Sequence, residues 1–568
     1  MAISVETYLT HNYPSFVKFP KLLKSSIIAL FKKLSHEDEI NTFLAKNAHK
    51  DSFGFIEAIL EHFEVDLSIH QNELERIPSY GRVVIIANHP LGALDALALI
   101  HVLKEIRKDI KIVASNFLKE FDNLGNVLIP IENVRNKMEK NSVDAIYNAL
   151  KQEQAVIIFP SGEVSRARPN GIKDTKWKKG FLKLAQKTQS PILPIYIDAR
   201  NSKNFYFLSM INKSLATATI PHEMFKYHRK TIGFRIGKII PYESYNIPSL
   251  SLKDKTKLFR KHFYLVAKKH RGIFKTHNAI ARAENRKELK DELQNAKMLG
   301  ETFDGKKIYL YSNEEENVLL KEIGRLREVS FRQVKEGTGH KRDLDEFDYI
   351  YEHIILWDEK DLEIVGSYRV LKSKETLDVD ELYTSTLFQY KEGFEKYFED
   401  GLELGRSFVQ PKYWNSRALD YLWQGIGAYL KKNPDIRYMF GGVSISRSYD
   451  EEATRLLVYF YMRFFGSEDP SVVHNESYFI AKHHQQELDT IFNAPSYQEN
   501  LLQLKNLLQA KGYAIPTLYK QYSDLCEDGG VEFMDFGIDR DFDNCVDGFI
   551  LVDTHKLKAN KRKRYMGV

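Results

Sequence analysis

The sequence predicts two tandem domains, the first α/β and the second α+β. Three observations carry that expectation. The chain has 568 residues, beyond the ~250 to 300 at which single cores stop growing. From position 81 short apolar runs alternate with segments of helical spacing, which means a layered α/β sheet. From position 307 the order changes to a strand, a helix and two strands, then strand, helix, strand, helix and closing strands, an α+β pattern.

Hydrophobic residues at 43% and charged residues at 28% are globular values and exclude a disordered or fibrous chain. A formal net charge of +6 falls short of the excess a dedicated nucleic-acid binder carries, so no nucleic-acid partner is expected. The only cysteines, Cys526 and Cys545, cannot frame a protein of this size, and no oxidising compartment is implied. No apolar run reaches the ~20 residues of a membrane-spanning helix, and residues 1–10 lack the pattern of a signal peptide. The expected location is cytoplasmic.

Residues 1–80 read as a helical segment. Within it, FPKLLKSSIIALFKKL (19–34) sets Leu23, Ile27, Leu30, Phe31 and Leu34 on one helical face and Lys21, Lys24 and Lys32 on the other. Two readings stay open at this point, a surface helix packed on its own domain and a helix lying on anionic lipid. The first α/β domain covers 81–250. Its expected strands are 83–88 (VVIIAN), 111–114, 127–131, 155–159 and 192–197, with helices at 142–152 and 179–188. Residues 251–300 are strongly charged and read as a helical connection. The second domain covers 301–568, with a strand near 307, a helix at 314–328, strands at 349–357 and 363–371, a strand at 401–408, a helix at 418–431, a strand at 438–443, a helix at 450–463 and closing strands at 529–552. The final KLKANKRKR (556–564) reads as a solvated basic tail.

The first chemical constellation is NHPLGALD (88–95), placed directly after a buried strand, where open α/β sheets put their sites. A regular helix would leave His89 and Asp95 ~120° apart, so Pro90 and Gly92 must supply a turn that joins them. A carboxylate on one imidazole nitrogen fixes the tautomer and raises basicity, leaving the other nitrogen to take a proton from a hydroxyl. A second segment, FPSGEVSRARPNG (159–171), follows another apolar strand and collects Gly162, Glu163, Arg166 and Arg168, a set that suits an anionic headgroup.

In order, NHPLGALD, NVLIPI, FPSGEVSR and SPILPIYI resemble the four motifs of the glycerolipid (lysophospholipid) acyltransferases, over residues 81–241. The resemblance implies His89 as base, Asp95 as its orienter, and Gly162, Glu163 and Arg166 as acceptor contacts. Two departures stand out. Five residues separate His89 from Asp95 where the family usually has four, and Ser161 stands at the family's glutamate position, so a carboxylate headgroup suits the loop as well as a phosphate.

The second constellation is RDLDEFDYIYEHIILWD (342–358), with Asp343, Asp345 and Asp348 ahead of a strand, followed by IVGSYRV with Arg369 and LELGRSFV with Glu403 and Arg406. Charges inside apolar strands demand partners or a function. A structural ion-pair network and a site are both open. This order resembles the acetyltransferase-fold (GNAT) N-acyltransferases that make ornithine lipids, and is similar to the acyl-homoserine lactone synthases. The resemblance implies Glu403 as base toward the attacking amine, with Asp345, Asp348, Arg369 and Arg406 shaping the site. The glycine signature for coenzyme A pyrophosphate is missing from VQPKYWNSRAL (409–419), which favours an acyl carrier protein donor, with Lys412, Arg417, Lys431 and Lys432 facing its acidic surface. GIDRDFDNCVDGFILVD, with Asp539, Arg540 and Asp541, is similar to the family's closing segment and is assigned no catalytic role.

No Cys and His spacing for zinc and no glycine-rich nucleotide loop is present, so neither a metal nor a bound cofactor is expected. Both halves together resemble the bifunctional ornithine-lipid synthases. That resemblance implies N-acylation of ornithine by a 3-hydroxyacyl thioester on acyl carrier protein or coenzyme A, then O-acylation of the new lyso-lipid. It also implies an enzyme peripheral on the inner face of the cytoplasmic membrane, and for 19–34 it favours bilayer contact. The competing readings are the same chemistry on glycine, phospholipid remodelling with a non-catalytic second domain, and a non-enzymatic lipid-binding or membrane-lytic protein.

Overall fold

The computed structural model describes residues 3–567 except 13–15, 17, 116, 117, 119, 120, 132, 135, 136, 139, 170, 313, 314 and 543. The chain divides into two compact units between Ala279 and Ile280.

The first unit is built on a seven-stranded sheet of β1 (Asp66–Ser68), β2 (Val83–Ala87), β3 (Ile110–Ser115), β4 (Leu128–Ile131), β5 (Ala155–Ile158), β6 (Ile192–Asp198) and β7 (Thr231–Ile236), in the order β1-β7-β6-β2-β5-β3-β4. Every pair is parallel except β6 with β7. β2 and β5 sit in the middle, in register from Val83 opposite Ala155 to Ile86 opposite Ile158. Both are continuous apolar runs because both of their faces are covered. Val83, Ile85 and Ala87 join one core with helix α2 (Leu94–Lys104), while Val84 and Ile86 join the other. That second core is closed by α3 (Lys140–Lys151), α4 (Gly180–Thr188) and α8 (Leu252–Ala267). Outside these layers lie α1 (Lys21–Ser35) and three short consecutive helices, α5 (Lys203–Ile211), α6 (Lys213–Ala218) and α7 (Ile220–Phe225).

The second unit carries an eight-stranded sheet of β8 (Lys297–Glu301), β9 (Lys307–Tyr311), β10 (Glu352–Asp358), β11 (Glu363–Lys372), β12 (Gly401–Val409), β13 (Tyr438–Ile445), β14 (Val531–Asp539) and β15 (Cys545–Asp553), in the order β8-β9-β10-β11-β12-β13-β15-β14. All pairs are antiparallel except β12 with β13. Helices α10 (Ala418–Lys432) and α11 (Glu451–Phe465) cover one face, and α9 (Val318–Gln333) packs with Ile355, Trp357 and Ile364 on the other.

The structure departs from the sequence reading in several places, among them β1 at the end of the segment read as helical and β8 at the end of the stretch read as a helical connection. The charged stretch 251–300 is shared out: Phe259 and Phe263 of α8 are buried in the first unit, and Leu289 and Leu293 in the second. The helix read at 314–328 runs from Val318 to Gln333, and residue 314 lies outside the described residues. The basic end is not a solvated tail. It forms α12 (Ala559–Met566), tied down by Arg564 to Asp420 at 2.8 Å and Lys561 to Asp524 at 2.7 Å, because acids on neighbouring helices neutralise it.

Candidate active sites

In the first unit the turn between β2 and α2 joins His89 to Asp95, with Nδ1 and Oδ2 3.1 Å apart. Gly92 takes φ +101°, and a Cβ there would lie 2.9 Å from Val164, so only glycine makes this turn. Asp95 is fully buried and held rigidly. Its Oδ2 accepts from the amides of Leu91 (2.9 Å) and Gly92 (3.4 Å), and its Oδ1 from Ala96 (2.9 Å). Burial pushes the Asp95 carboxyl up, but His89 and the two turn amides outweigh it and leave its pKa below the usual value. Burial likewise disfavours the His89 imidazolium, and the charge and hydrogen bond of Asp95 overcome it, so the imidazole is more basic than ordinary histidine.

The predicted acceptor loop is brought to this pair. Phe159 stacks on the His89 ring with centroids 4.2 Å apart, and the Ser165 amide donates to the His89 carbonyl at 2.8 Å. Gly162 sits at φ +66° with the Lys178 ammonium over it, 3.1 Å from where a Cβ would be. The Glu163 carbonyl accepts from the Ser161 hydroxyl at 2.8 Å. Arg166 is 5% exposed and turned toward α5 and α6: its Nη2 donates to Thr217 Oγ1 at 3.0 Å and its guanidinium lies 5.3 Å from the Phe205 ring centroid. Its Nε and Nη1 have no hydrogen-bond partner in a buried setting, and burial lowers its pKa. Sequence reading missed Asp174. Its Oδ1 accepts from the His89 amide (3.3 Å) and the Ser165 hydroxyl (2.6 Å), tying the His89 turn to the 159–171 loop.

In the second unit the decisive feature is where β12 leaves β13. The two pair at Gly401 with Tyr438, Leu402 with Met439 and Glu403 with Phe440, and no further. Gly441 lets β13 graze the Leu404 carbonyl, 2.1 Å from where a Cβ would stand. Beyond Glu403, β12 keeps β11 on one edge while its β13 edge is unpaired. The β11–β12 ladder also shifts register between Ser367 and Arg369, and Arg406 opposite it takes φ +49°, a strained value for a side-chain-bearing residue.

Glu403 sits at that fork, 1% exposed. Its Oε2 accepts from the Tyr351 hydroxyl, and its Oε1 from the Thr384 amide at 2.8 Å. The Tyr383 amide in turn donates to the Tyr351 oxygen at 2.8 Å. Burial raises the Glu403 pKa above that of an ordinary carboxyl, and these donors only partly offset it.

Around the fork the predicted charges form one network. Arg369 is fully buried, its Nη1 bonded to Asp345 and 3.2 Å from Asp348. Arg406 reaches Asp343 at 3.1 Å and Asp345 at 3.4 Å. Both guanidiniums lie over the Tyr383 ring, at 4.7 and 5.0 Å from its centroid. Asp345 and Asp348 cap the 3₁₀ turn Glu346–Tyr349 reciprocally. Burial would push Asp348 up, but the arginines hold it far below the usual carboxylate range. Asp343 is pushed up by burial despite Arg406. Arg327, also missed by sequence reading, meets Asp348 at 2.6 Å with both side chains fully buried. Its signal was a charge on the buried stripe of α9, among Ile323, Leu326 and Ser330. Arg327→Met is expected to cost about 3 kcal/mol, read as a lower urea midpoint at unchanged slope, because it strips a partner from a buried carboxylate.

Beyond Arg406 lies an acidic wall. Asp539, Cys545 and Asp547, all buried, bring their ligand atoms within 4.8 Å of one another. Asp547 is pushed up to about 6 by burial and the neighbouring Asp539. The Cys545 thiol donates to Asp547 at 3.4 Å, and burial drives its pKa up. The Lys412 ammonium is occupied by Asp361 (2.6 Å) and Glu363 (2.5 Å). No helix of the described residues is long and apolar enough to cross a membrane.

Residues 9–271 match the family described as acyltransferase, and residues 326–424 the acetyltransferase (GNAT) domain. A glycine N(alpha)-acyltransferase of Bacteroides thetaiotaomicron is 31% identical over 46% of this chain and 80% of its own. A lyso-glycine lipid O-acyltransferase of Phocaeicola vulgatus is 30% identical over 40% of this chain and 82% of its own. An L-ornithine N(alpha)-acyltransferase of Rhodobacter capsulatus is 26% identical over 42% of this chain and 88% of its own. With its dyad on one unit and its forked sheet on the other, the chain belongs to the aminolipid acyltransferases and joins an O-acyltransferase half to a GNAT N-acyltransferase half in one bifunctional enzyme.

Proposed function

We propose that this enzyme makes ornithine lipid in two steps. The C-terminal unit N-acylates ornithine with a 3-hydroxyacyl thioester, and the N-terminal unit then acylates the 3-hydroxyl. The observation that carries the reading is the pairing of two bases matched to two nucleophiles, a carboxylate at the sheet fork for an amine and a carboxylate-backed imidazole for a hydroxyl.

In the first step the donor's thioester arm lies along the unpaired edge of β12 as an added strand. The neutral α-amine attacks the thioester carbonyl, forming the C–N bond and expelling the thiolate. Glu403, directly or through water, receives the amine's proton and returns it to the thiolate, with Tyr351 holding the carboxylate in place. Arg369 and Arg406 face the acceptor's carboxylate. The carboxylates exceed the arginines around this fork: Asp343, Asp345, Asp348, Asp539 and Asp547 surround Arg327, Arg369 and Arg406. That excess favours an acceptor bearing a second ammonium. In the second step His89 takes the hydroxyl proton as the oxygen attacks a second thioester, and the imidazolium protonates the departing thiolate. Arg166 and Lys178 offer the cations for the lyso-lipid's carboxylate. The donor is an acyl carrier protein thioester or acyl coenzyme A, the enzyme acts at the cytoplasmic membrane surface, and α1, which buries none of its residues, lies on the bilayer.

Glycine is the second reading, favoured by the 31% identity to a glycine N(alpha)-acyltransferase. Expression in a bacterium lacking aminolipids, with mass spectrometry of the lipid extract, decides between them. A diacylated ornithine lipid is expected, a glycine lipid transfers the chemistry to the other acceptor, and no new aminolipid overturns both. A pH profile adds a second check. Because Tyr351 lowers the pKa of Glu403 by donating to it, Tyr351→Phe raises that pKa further. The acid limb of N-acylation, where the base becomes protonated, is therefore expected to move to higher pH in this variant. A limb that stays in place or moves down removes Glu403 from the rate.

A further inference from the structure

The hairpin of α5 and α6 buries Phe205, Tyr206 and Ala216 with Val164 of the acceptor loop, yet its other side is apolar too. Phe207, Met210 and Ile211, at i, i+3 and i+4 on α5, are 62, 67 and 69% exposed, and Leu215 on α6 is 47% exposed. A helix that is apolar on both sides is normal inside a core or against lipid, not against water. No acidic residue lies between Asp198 and Glu223, while Lys203 and Lys213 open the two helices. The hairpin leads directly into α7, where the end of α1 also docks: His36 stacks on Phe225 with centroids 3.9 Å apart and meets His222 at 3.0 Å. From inside, the same hairpin holds the acceptor arginine, Thr217 bonding Arg166 and Phe205 lying under it.

We infer that the α5–α6 hairpin is a second bilayer-docking element. It seats Phe207, Met210, Ile211 and Leu215 in an anionic lipid surface, so that an acceptor passes from the membrane to Arg166 without crossing water. Glu223, which accepts from Ser202 at the start of α5, is buried and paired with Lys226 at 3.0 Å, so Lys203 and Lys213 favour anionic lipid while the exposed stripe supplies the apolar insertion. This rests on the surface of the hairpin and holds whichever amino acid the acceptor carries.

The test uses the full chain and vesicles of phosphatidylcholine with or without phosphatidylglycerol. Phe207→Ser with Ile211→Ser is expected to weaken sedimentation with the phosphatidylglycerol vesicles about tenfold or more. A second measurement does not depend on that variant folding. Both native cysteines, Cys526 and Cys545, are buried, so Met210→Cys offers one accessible thiol for an environment-sensitive fluorophore. Its emission is expected to shift blue with phosphatidylglycerol vesicles and little with phosphatidylcholine alone. Unchanged sedimentation of a folded double variant, no shift, or equal shifts with both vesicles would overturn the inference. So would a dimer in sedimentation velocity that Phe207→Ser dissolves, because that assigns the stripe to a second copy of the chain.

Discussion

Cells expressing Glu403→Gln are expected to contain neither the monoacylated nor the diacylated aminolipid. Glutamine keeps the size of the side chain, and its amide oxygen still accepts from Thr384, so the fork keeps its shape. What it loses is the capacity to hold a proton taken from the amine. Since only a neutral amine attacks a thioester, the N-acylation step is expected to fall roughly 10²- to 10⁴-fold. Both lipids vanish together because the second step uses the product of the first. The readout is the lipid extract of a host without aminolipids, checked for equal protein level. Wild-type amounts of either lipid would show that Glu403 is only a structural anchor for Tyr351.

His89→Ala is expected to give the complementary pattern, with the monoacylated lipid accumulating and the diacylated one lost. Phe159 on its face is apolar, and Asp95 is fully buried with both oxygens engaged. The other carboxylate beside the imidazole, Asp174, is fully buried with its oxygens engaged by Ser165 and Trp177. The O-acylation step is expected to drop by roughly 10² to 10⁴, while N-acylation, on another compact unit, continues. Asp95→Asn separates base from orienter. It removes the charge that raises the His89 pKa, so the residual activity should lose its acid limb to lower pH as well as falling in magnitude. Diacylated lipid at normal levels from His89→Ala would place the second acylation outside this dyad.

The fold was largely legible because buried parallel strands such as VVIIA and AVII announce themselves, and so do strands flanked by helices of strong period. The His89–Asp95 turn was legible for a related reason: a proline, a glycine and two ionisable side chains within eight residues leave few conformations that join them. Asp174, Tyr351 and Thr384 were not. Each reaches its partner through tertiary packing, and nothing in its own neighbourhood distinguishes it from a surface acid, a strand tyrosine or a loop threonine. Arg327 stood between, a charge on a buried stripe whose partner only the fold could supply. The α5–α6 run shows the same limit from the other side. After Lys203 and Asn204 the run FYFLSMI is apolar but for Ser209, and only the structure shows that Phe205 and Tyr206 are buried while Phe207, Met210 and Ile211 face outward.

The parting of β12 from β13 gives the second unit an unfinished sheet. A donor arm that adds the missing ladder bonds binds the native state and not the unfolded chain, so it stabilises the unit by RT ln(1 + [L]/Kd), about 2.7 kcal/mol at a hundredfold excess over Kd. With the donor arm seated there as proposed, the resistance of this half to heat and proteolysis is expected to rise with acyl-thioester supply. An enzyme that commits fatty acids to lipid would persist longest when those thioesters are abundant and turn over soonest when they are scarce.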